Sequence, residues 1–526
     1  MNKWGARALL PLGGMLTALC LIFPYIGFLE WVTLVPSLII LFGTVSRPNV
    51  HLRRLWGMGF VFFYSFYLVI FHWFLALYPM EFAGVSKGTA LLLVLFCWLG
   101  LSLLQAFFSS LIFPLFGLLV RTPLLQKHPV LIPFVFAAQW TVAEWSQTLT
   151  WAGVPWARLP LGQIEYGVFA GAASLFGSYI LTFALVAVNG LVAYAVLHRD
   201  RIRFCSISAA TVFAFVLISG SVGYATANPE QGTPIVAAAV QGNVGSGDKW
   251  TAQSLQDSYE IYDRYTREAA EAGAQIVVFP ETFIPRAIDK KSALGAYVIE
   301  LAQRYNVTVV CGGFYYTDEG DYNAAFTVHP DGTINETVYA KRHLVPFGEY
   351  VPLRRFVEFV FPPLADIGML SDDLSAGEDS AVVTTGLGRF GTMICFDSIY
   401  EELARDSVRD GAQFLVLPTN DSWFTDSAAV YMHSRQARLR AIETGRWIIR
   451  SADTGISSII SPTGESLDEQ PPLVEGMSLA TIYARDTRTL YSYIGNTLVY
   501  LLIAALLALA LTPLPALWKR RKSQKA

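Results

Sequence analysis

Three residues of this chain have types and settings suited to covalent chemistry: Glu281, Lys341 and Cys395. Each follows a short apolar run that predicts a strand, at 275–280 (QIVVFP), 338–340 (VYA) and 391–394 (GTMI). A helix-like pattern over 398–408 follows the third run, so Cys395 is expected between a strand end and a helix start. The partial positive charge of a helix N-terminus would favour its thiolate, which is the nucleophilic form. Taken singly, the three read more plainly as a turn carboxylate, an edge-strand lysine and a small core thiol. Together they supply what thiol acyl transfer requires. A carboxylate takes the thiol proton and later deprotonates a second nucleophile. A lysine, with backbone N–H groups at the start of the helix, stabilises the oxyanion. The thiolate carries the acyl group. His343 and His433 could assist, but neither lies in a recognisable Cys-His motif.

The elements that must position these residues belong to a membrane protein. Hydrophobic residues make up 53% of the 526, charged residues only 15%, and the mean hydropathy is +0.43. A net charge of −3 gives no reason to expect a nucleic-acid partner. The five cysteines are scattered singly, and Cys311 and Cys395 are the two in the polar part; a disulfide between them is open on parity alone. Neither CxxC nor His-x-x-x-His spacing suggests a metal, and no GxGxxG or P-loop spacing suggests a nucleotide, so no cofactor is expected. Lys3 and Arg7 precede an apolar run with no small-residue cleavage site after it, which predicts an uncleaved first helix.

A membrane span needs roughly 20 apolar residues. Eight candidates lie near 8–28, 30–46, 55–78, 89–120, 130–149, 167–197, 203–224 and 490–514. Arg47, Arg53, Arg54, Arg121, Lys127, Arg199, Arg201, Arg203 and the tail from Lys519 to Lys525 fall on one side. Lys87 and Arg158 fall on the other. Positive residues mark the cytoplasmic side, so both termini are expected inside and the large polar segment outside. The spans are nearly free of charge, with His72 and Glu144 the main ionisable exceptions, which suits a platform better than an ion-coupled transporter. The expected organisation is a seven-helix transmembrane region at 1–232, an outer domain at 233–487, and a last helix with a basic tail at 488–526. Within 233–487, β-branched runs near 235–240, 275–279, 307–311, 324–329, 337–340, 381–385, 391–394, 414–417 and 447–451 alternate with helical patterns. Those patterns cover 251–272, 292–305, 398–408 and 427–443, and the alternation predicts a layered α/β domain.

The segments Phe279-Pro-Glu281, Tyr339-Ala-Lys-Arg-His-Leu-Val-Pro-Phe-Gly-Glu-Tyr-Val-Pro352 and Gly391-Thr-Met-Ile-Cys395 resemble the Glu-Lys-Cys motifs of the nitrilase superfamily. With Val240-Gln-Gly-Asn243, Asn420-Asp-Ser-Trp-Phe424, Phe23-Pro24, Ala143-Glu-Trp145 and Gly153-Val-Pro-Trp156, the chain resembles the bacterial apolipoprotein N-acyltransferase family over nearly its whole length. The resemblance implies a multi-pass α-helical membrane protein of eight spans carrying an inserted α-β-β-α sandwich domain. It implies Glu281 as general base, Lys341 as oxyanion stabiliser and Cys395 as nucleophile, with Glu349 in support; a turn-capping carboxylate is the other reading of Glu349. Trp250 and Trp423 become substrate-binding candidates, Trp250 near the entrance or else in the core. Where the family commonly has Tyr-Glu after the cysteine, this chain has Phe396-Asp397. The carboxylate is one methylene shorter and the phenol hydroxyl is lost, while the N–H of Phe396 remains an oxyanion donor.

The reaction implied is ping-pong transfer of an acyl chain from a membrane phospholipid, through a thioester on Cys395, to the α-amino group of a lipoprotein's diacylglyceryl-cysteine. The implied location is the bacterial inner membrane, with the catalytic domain on the periplasmic side. The arm 356–364 (FVEFVFPPL) is too apolar for a water-facing loop, and Phe359 and Phe361 are expected to enter the outer leaflet or to pack on the domain itself. The motifs alone leave open a membrane-anchored nitrilase-like amidase that uses water as acceptor, or a transporter or receptor with a degenerate outer domain.

Overall fold

The computed structural model describes residues 3–47, 49–80, 85–245, 249, 251–288, 292–360 and 373–512. Trp250, Phe361, the arm beyond 360 and the basic tail lie outside them. The chain divides into two compact units, one of residues 1–72, 95–224 and 494–526, the other of 73–94 and 225–493.

The first unit is helical. Five helices are long and apolar enough to cross a membrane: Pro24–Val45, Leu52–Leu77, Lys87–Leu119, Tyr179–Leu197 and Arg199–Thr226. The expected eight spans are therefore met by five of spanning length among the described residues. The apolar helices Ala8–Ile22, Gly167–Phe176 and Thr497–Leu511 are shorter. Local chemistry accounts for some of the shortened helices. The first helix, Lys3–Ile22, stops before Pro24. The expected span 167–197 is split at Gly177, whose φ of +79° ends the helix Ala173–Phe176 before Tyr179–Leu197 begins. The segment expected at 130–149 forms a 15-residue helix, Ile132–Ser146, with Pro133 in its first turn.

Large apolar side chains such as Leu92, Phe96, Leu103 and Phe107 point outward, the reverse of a soluble fold and the arrangement lipid favours. Several of the buried polar groups inside the unit are bonded to one another. Glu144 accepts from the Thr182 hydroxyl at 2.8 Å, and Glu30, which the sequence pattern did not single out, accepts from the Gln163 amide at 2.6 Å. Arg158, expected in an outside loop, is fully buried and donates to the Tyr179 hydroxyl.

The second unit is built on two six-stranded sheets. The first sheet runs β12-β1-β2-β3-β4-β5 and the second β11-β10-β9-β8-β7-β6. The strands of the first are β1 (Thr233–Gln241), β2 (Ile276–Val278), β3 (Thr308–Thr317), β4 (Gly320–Val328), β5 (Tyr339–Ala340) and β12 (Gly476–Ala484). Those of the second are β6 (Val383–Thr385), β7 (Gly388–Thr392), β8 (Phe414–Thr419), β9 (Ile448–Ala452), β10 (Ser457–Ile460) and β11 (Ser466–Gln470). Each sheet has three parallel strands at its centre, β1-β2-β3 and β7-β8-β9, flanked by antiparallel neighbours.

The period-2 alternation of β1 sets the layers. Ile235, Ala237 and Ala239 face the second sheet, in one core with Phe390, Phe414, Val416 and Ile449. Ala238 and Val240 face the other way, in a core with Tyr262, Leu294 and Val298 from the helices Ala252–Glu271 and Ala293–Tyr305. Thr251 and Ser292 cap those helices, accepting from the N–H groups of Ser254 and Gly295. On the second sheet, Gly391 approaches Ser407 of the helix Glu401–Arg409 so closely that a Cβ would stand 2.4 Å from the serine. The nine expected strands and four expected helices form, most with shifted ends; β10, β11 and β12 are additional. β12 escaped notice because GMSLATIYA alternates weakly, yet it pairs with β1 along nine residues.

Candidate active site

Glu281, Lys341 and Cys395 leave three different strands and meet at one end of the two sheets. Glu281 follows β2 in a turn where Thr282 adopts φ +42°. Lys341 follows β5, and its N–H is tied to the carbonyl of Asn323 on β4. Cys395 follows β7 with φ +49°, a left-handed conformation that costs a non-glycine residue roughly 1–2 kcal/mol. Its Sγ lies 3.8 Å from the carbonyl oxygen of Asn420, on the loop after β8.

At the centre is a buried cation between two carboxylates. The Lys341 ammonium donates to Glu281 Oε1 at 2.9 Å and to Glu349 Oε1 at 3.0 Å. Asn323 donates from the same amide nitrogen to both acids, at 2.6 Å to Glu281 and 2.7 Å to Glu349. Glu349 Oε2 also accepts from the N–H of Val345. Burial works to discharge Lys341, but the charges of Glu281 and Glu349 outweigh it and hold the ammonium well above its usual range. Burial raises Glu349, with Lys341 pulling it back. The sequence pattern did not single out Asn323. The signal was present as a polar side chain opening the otherwise small and apolar run NAAF of a strand.

The cysteine departs from expectation. Burial first, and the negative charge of Glu281 second, push the thiol well above its ordinary value, with Lys341 opposing them. The expected helix start contributes little, because the element after Cys395 is a five-residue 3-10 turn, Cys395–Ile399, and the α-helix begins only at Glu401. At rest Cys395 is therefore a thiol.

Phe396 is half-buried with its ring edge against Tyr400. Asp397 is fully buried, and three groups donate to its carboxylate: the N–H of Ile394, the N–H of His343 and the hydroxyl of Tyr339. It acts as a knot joining the cysteine and lysine loops. His343 stacks on Tyr400 and bonds Glu402 at 3.0 Å. His433 lies behind Cys395, with Nε2 3.0 Å from its carbonyl oxygen. Donor atoms of Cys395, Asp421 and His433 fall within 4.8 Å of one another, a spacing that could hold a metal. His433, however, already engages Asp421 with one ring nitrogen and Cys395 and Ser398 with the other. Trp423 is half-buried on the Asn420 loop, and Phe359 stands 86% exposed on the helix Arg354–Val360. Of the substrate-binding candidates, Trp250 and Phe361 fall outside the described residues.

A second buried ion pair supports the turn of Glu281, and it too escaped the sequence reading. Lys249 pairs with Asp453 and donates to the carbonyl of Thr282 at 3.0 Å, pinning the turn that carries Glu281. Burial pushes Asp453 up to about 6, against the pull of Lys249.

Paired six-stranded sheets with a carboxylate, an ammonium and a thiol at their shared end define a carbon-nitrogen hydrolase domain, and the Carbon-nitrogen hydrolase family model matches residues 236–491. The Apolipoprotein N-acyltransferase N-terminal domain model matches residues 13–191. The apolipoprotein N-acyltransferase of Geobacter metallireducens is 29% identical, over 97% of this chain and 95% of its own. That of Gloeobacter violaceus is 30% identical over 87% and 86%, and that of Methylococcus capsulatus 32% over 66% and 69%. The chain belongs to the apolipoprotein N-acyltransferase family. Among solved structures, Saccharomyces cerevisiae Nit3, a member of branch 10 of the nitrilase superfamily, matches with TM-score 0.38 and 22% identity, over 50% of this chain and 93% of its own.

Two outcomes follow from this geometry. Alkylation of Cys395 by iodoacetamide should rise steadily into alkaline pH. Glu281→Gln removes a negative charge and should move that profile to lower pH, whereas Lys341→Met should move it higher; shifts in the same direction would contradict the electrostatic account. Asp397→Asn turns an amide N–H toward groups that donate, and should cost about 1–3 kcal/mol of stability. Thermal unfolding in detergent reads it, and an unchanged Tm would mean the knot is dispensable.

Proposed function

We propose that this protein is a phospholipid–apolipoprotein N-acyltransferase working by ping-pong thioester chemistry. Glu281 takes the proton of Cys395, and the sulfur attacks the ester carbonyl of a membrane phospholipid. The Lys341 ammonium and the N–H of Phe396 stabilise the oxyanion. The C–O bond breaks, the leaving alkoxide takes the proton from Glu281, and lysophospholipid departs. The α-amino group of a diacylglyceryl-cysteine then attacks the thioester, and Glu281 accepts its proton. The C–S bond breaks and the thiol is restored. Glu349 and Asn323 orient the lysine, and Asp397 holds the loops in register. Trp250 and Trp423 are the substrate-binding tryptophans of this reading.

The carrying observation is the Lys341 ammonium fixed between two carboxylates beside a protonated thiol, in a chain of this family. A thiol needing a base and a cation placed for an oxyanion suit acyl transfer, and apolar helices suit a substrate that never leaves the bilayer. The reading places the protein in the bacterial inner membrane with both termini cytoplasmic and the catalytic domain, 233–487, on the periplasmic side. The transmembrane regions are 1–232 and 488–526.

The arm beginning at the helix Arg354–Val360 is the lipid contact in this reading. Leu353, Phe356 and Phe359 are all more than 60% exposed there, beside Arg354 and Arg355, a pairing of apolar and basic groups that suits a phospholipid surface.

Mixing the protein with phospholipid alone should add one acyl mass to the peptide containing Cys395 and release lysophospholipid; adding a diacylated lipopeptide should discharge it. Cys395→Ala should do neither, and Lys341→Ala should acylate about 10²–10³-fold more slowly. Free fatty acid as the only product with lipopeptide present would make the protein a hydrolase, and transfer by Cys395→Ala would exclude the thioester. Phe359→Ser should slow turnover of phospholipid in vesicles while leaving reaction with a short soluble ester unchanged. Equal effects on both would remove the arm from lipid capture.

A further inference from the structure

Behind the nucleophile, on the side away from Lys341 and Glu281 in the hydrogen-bond chain, runs a second polar line that the mechanism above does not use. Arg450 donates to Asp421 Oδ2 at 2.8 Å, and Asp421 Oδ1 holds His433 Nδ1 at 2.7 Å. His433 Nε2 lies 3.0 Å from the carbonyl oxygen of Cys395. The Ser398 hydroxyl donates to the same oxygen at 2.8 Å and lies 3.0 Å from His433 Nε2. All four side chains are at most 1% exposed. The carbonyl oxygen and the Asp421 carboxylate can each only accept, so the ring that bonds both donates from Nε2 to the carbonyl and from Nδ1 to the carboxylate. Burial alone would raise Asp421, but Arg450 and His433 more than offset it and hold the carboxyl down at about 2, a permanent anion anchoring the ring.

The consequence lies in the peptide plane. The C=O of Cys395 and the N–H of Phe396 belong to one planar trans unit and point in opposite directions. Two donors gripping the oxygen therefore fix where that N–H points. They also polarise the peptide, which makes the N–H a stronger donor. Cys395 needs such a grip, because its φ of +49° is not a conformation it would keep unaided.

We infer that His433, anchored by Asp421 and Arg450 and seconded by Ser398, is a positioning residue for the oxyanion: it clamps the 395–396 peptide so that the Phe396 N–H faces the developing charge. The inference rests on the acyl-transfer reading, and extends it from the groups that touch the substrate to those that aim them. It also explains why a histidine so close to the cysteine is no base for it: the ring addresses the cysteine's carbonyl, not its sulfur.

The test separates oxyanion chemistry from thiol reactivity. Acylation of Cys395 passes through an oxyanion; alkylation by iodoacetamide does not. The full-length enzyme in detergent is acylated in single turnover by a p-nitrophenyl ester and, separately, by phosphatidylethanolamine, and its alkylation is followed across pH. His433→Leu should slow acylation by about 10- to 100-fold, short of losing an oxyanion donor outright, and leave the alkylation profile within about two-fold. His433→Gln, which returns an N–H at similar reach, should recover most of the rate. Ser398→Ala should show the same split at smaller amplitude, and remains readable if the leucine variant does not fold.

Acylation at the parental rate in both His433→Leu and Ser398→Ala, acylation and alkylation falling together, or a glutamine no better than leucine would each overturn the inference. A parent enzyme acylated by the p-nitrophenyl ester but not by phosphatidylethanolamine would instead count against the phospholipid donor, with the clamp still measured on the activated ester.

Discussion

A buried ammonium shared by two carboxylates is the constraint on which the rest of this site depends. Removing a charge from water costs several kcal/mol unless partners with good geometry replace the solvent, and Lys341 is only 1% exposed. Glu281, Glu349 and the backbone around them must therefore be held within hydrogen-bond reach, and Asn323 bridges the two acids from the neighbouring strand. The formal sum of one ammonium and two carboxylates leaves the neighbourhood of Cys395 negative. Burial first, and the charge of Glu281 second, keep the thiol protonated at rest, with Lys341 opposing them.

The groups proposed for catalysis sit on turns, and each turn is fixed from behind by buried polar contacts. Lys249 and Asp453 hold the turn of Glu281, where Thr282 is left-handed. Asp397 ties the loops of Cys395 and Lys341 through donors from Ile394, His343 and Tyr339. The line from Arg450 through Asp421 to His433 holds the carbonyl of Cys395. Strained backbone at Thr282 and Cys395 persists only because these contacts over-determine it. The sheets bring the strand ends together, and the polar knots set the last ångström.

The helical unit obeys a different solvent. Its outward faces are apolar, and several of its inward polar groups find one another, as Glu144 finds Thr182 and Glu30 finds Gln163. Hydropathy located these segments well but misjudged their lengths. A hydropathy window cannot register the breaks at Pro24 and Gly177, since those depend on backbone geometry rather than on polarity.

The residues proposed to carry the chemistry were legible because covalent catalysis needs particular functional groups, and a strand end followed by Glu, Lys or Cys is a local pattern. The β-branched run at 235–240 and the helical patterns opening near 251 and 292 were legible for the same reason: their physics is contained within a few residues. The supporting residues were not. Asn323 lies 42 residues from Glu281, Asp453 far beyond Lys249, and His433 38 residues from Cys395, and nothing local marks their partners. Nor could the sequence tell that Cys395 would rest as a thiol, because desolvation and the field of Glu281 exist only once distant strands have packed. The sequence by itself determined which groups are present and which elements deliver them. Only the tertiary structure decided their charge states and aim, because burial and electrostatic coupling are properties of neighbours in space rather than in the chain.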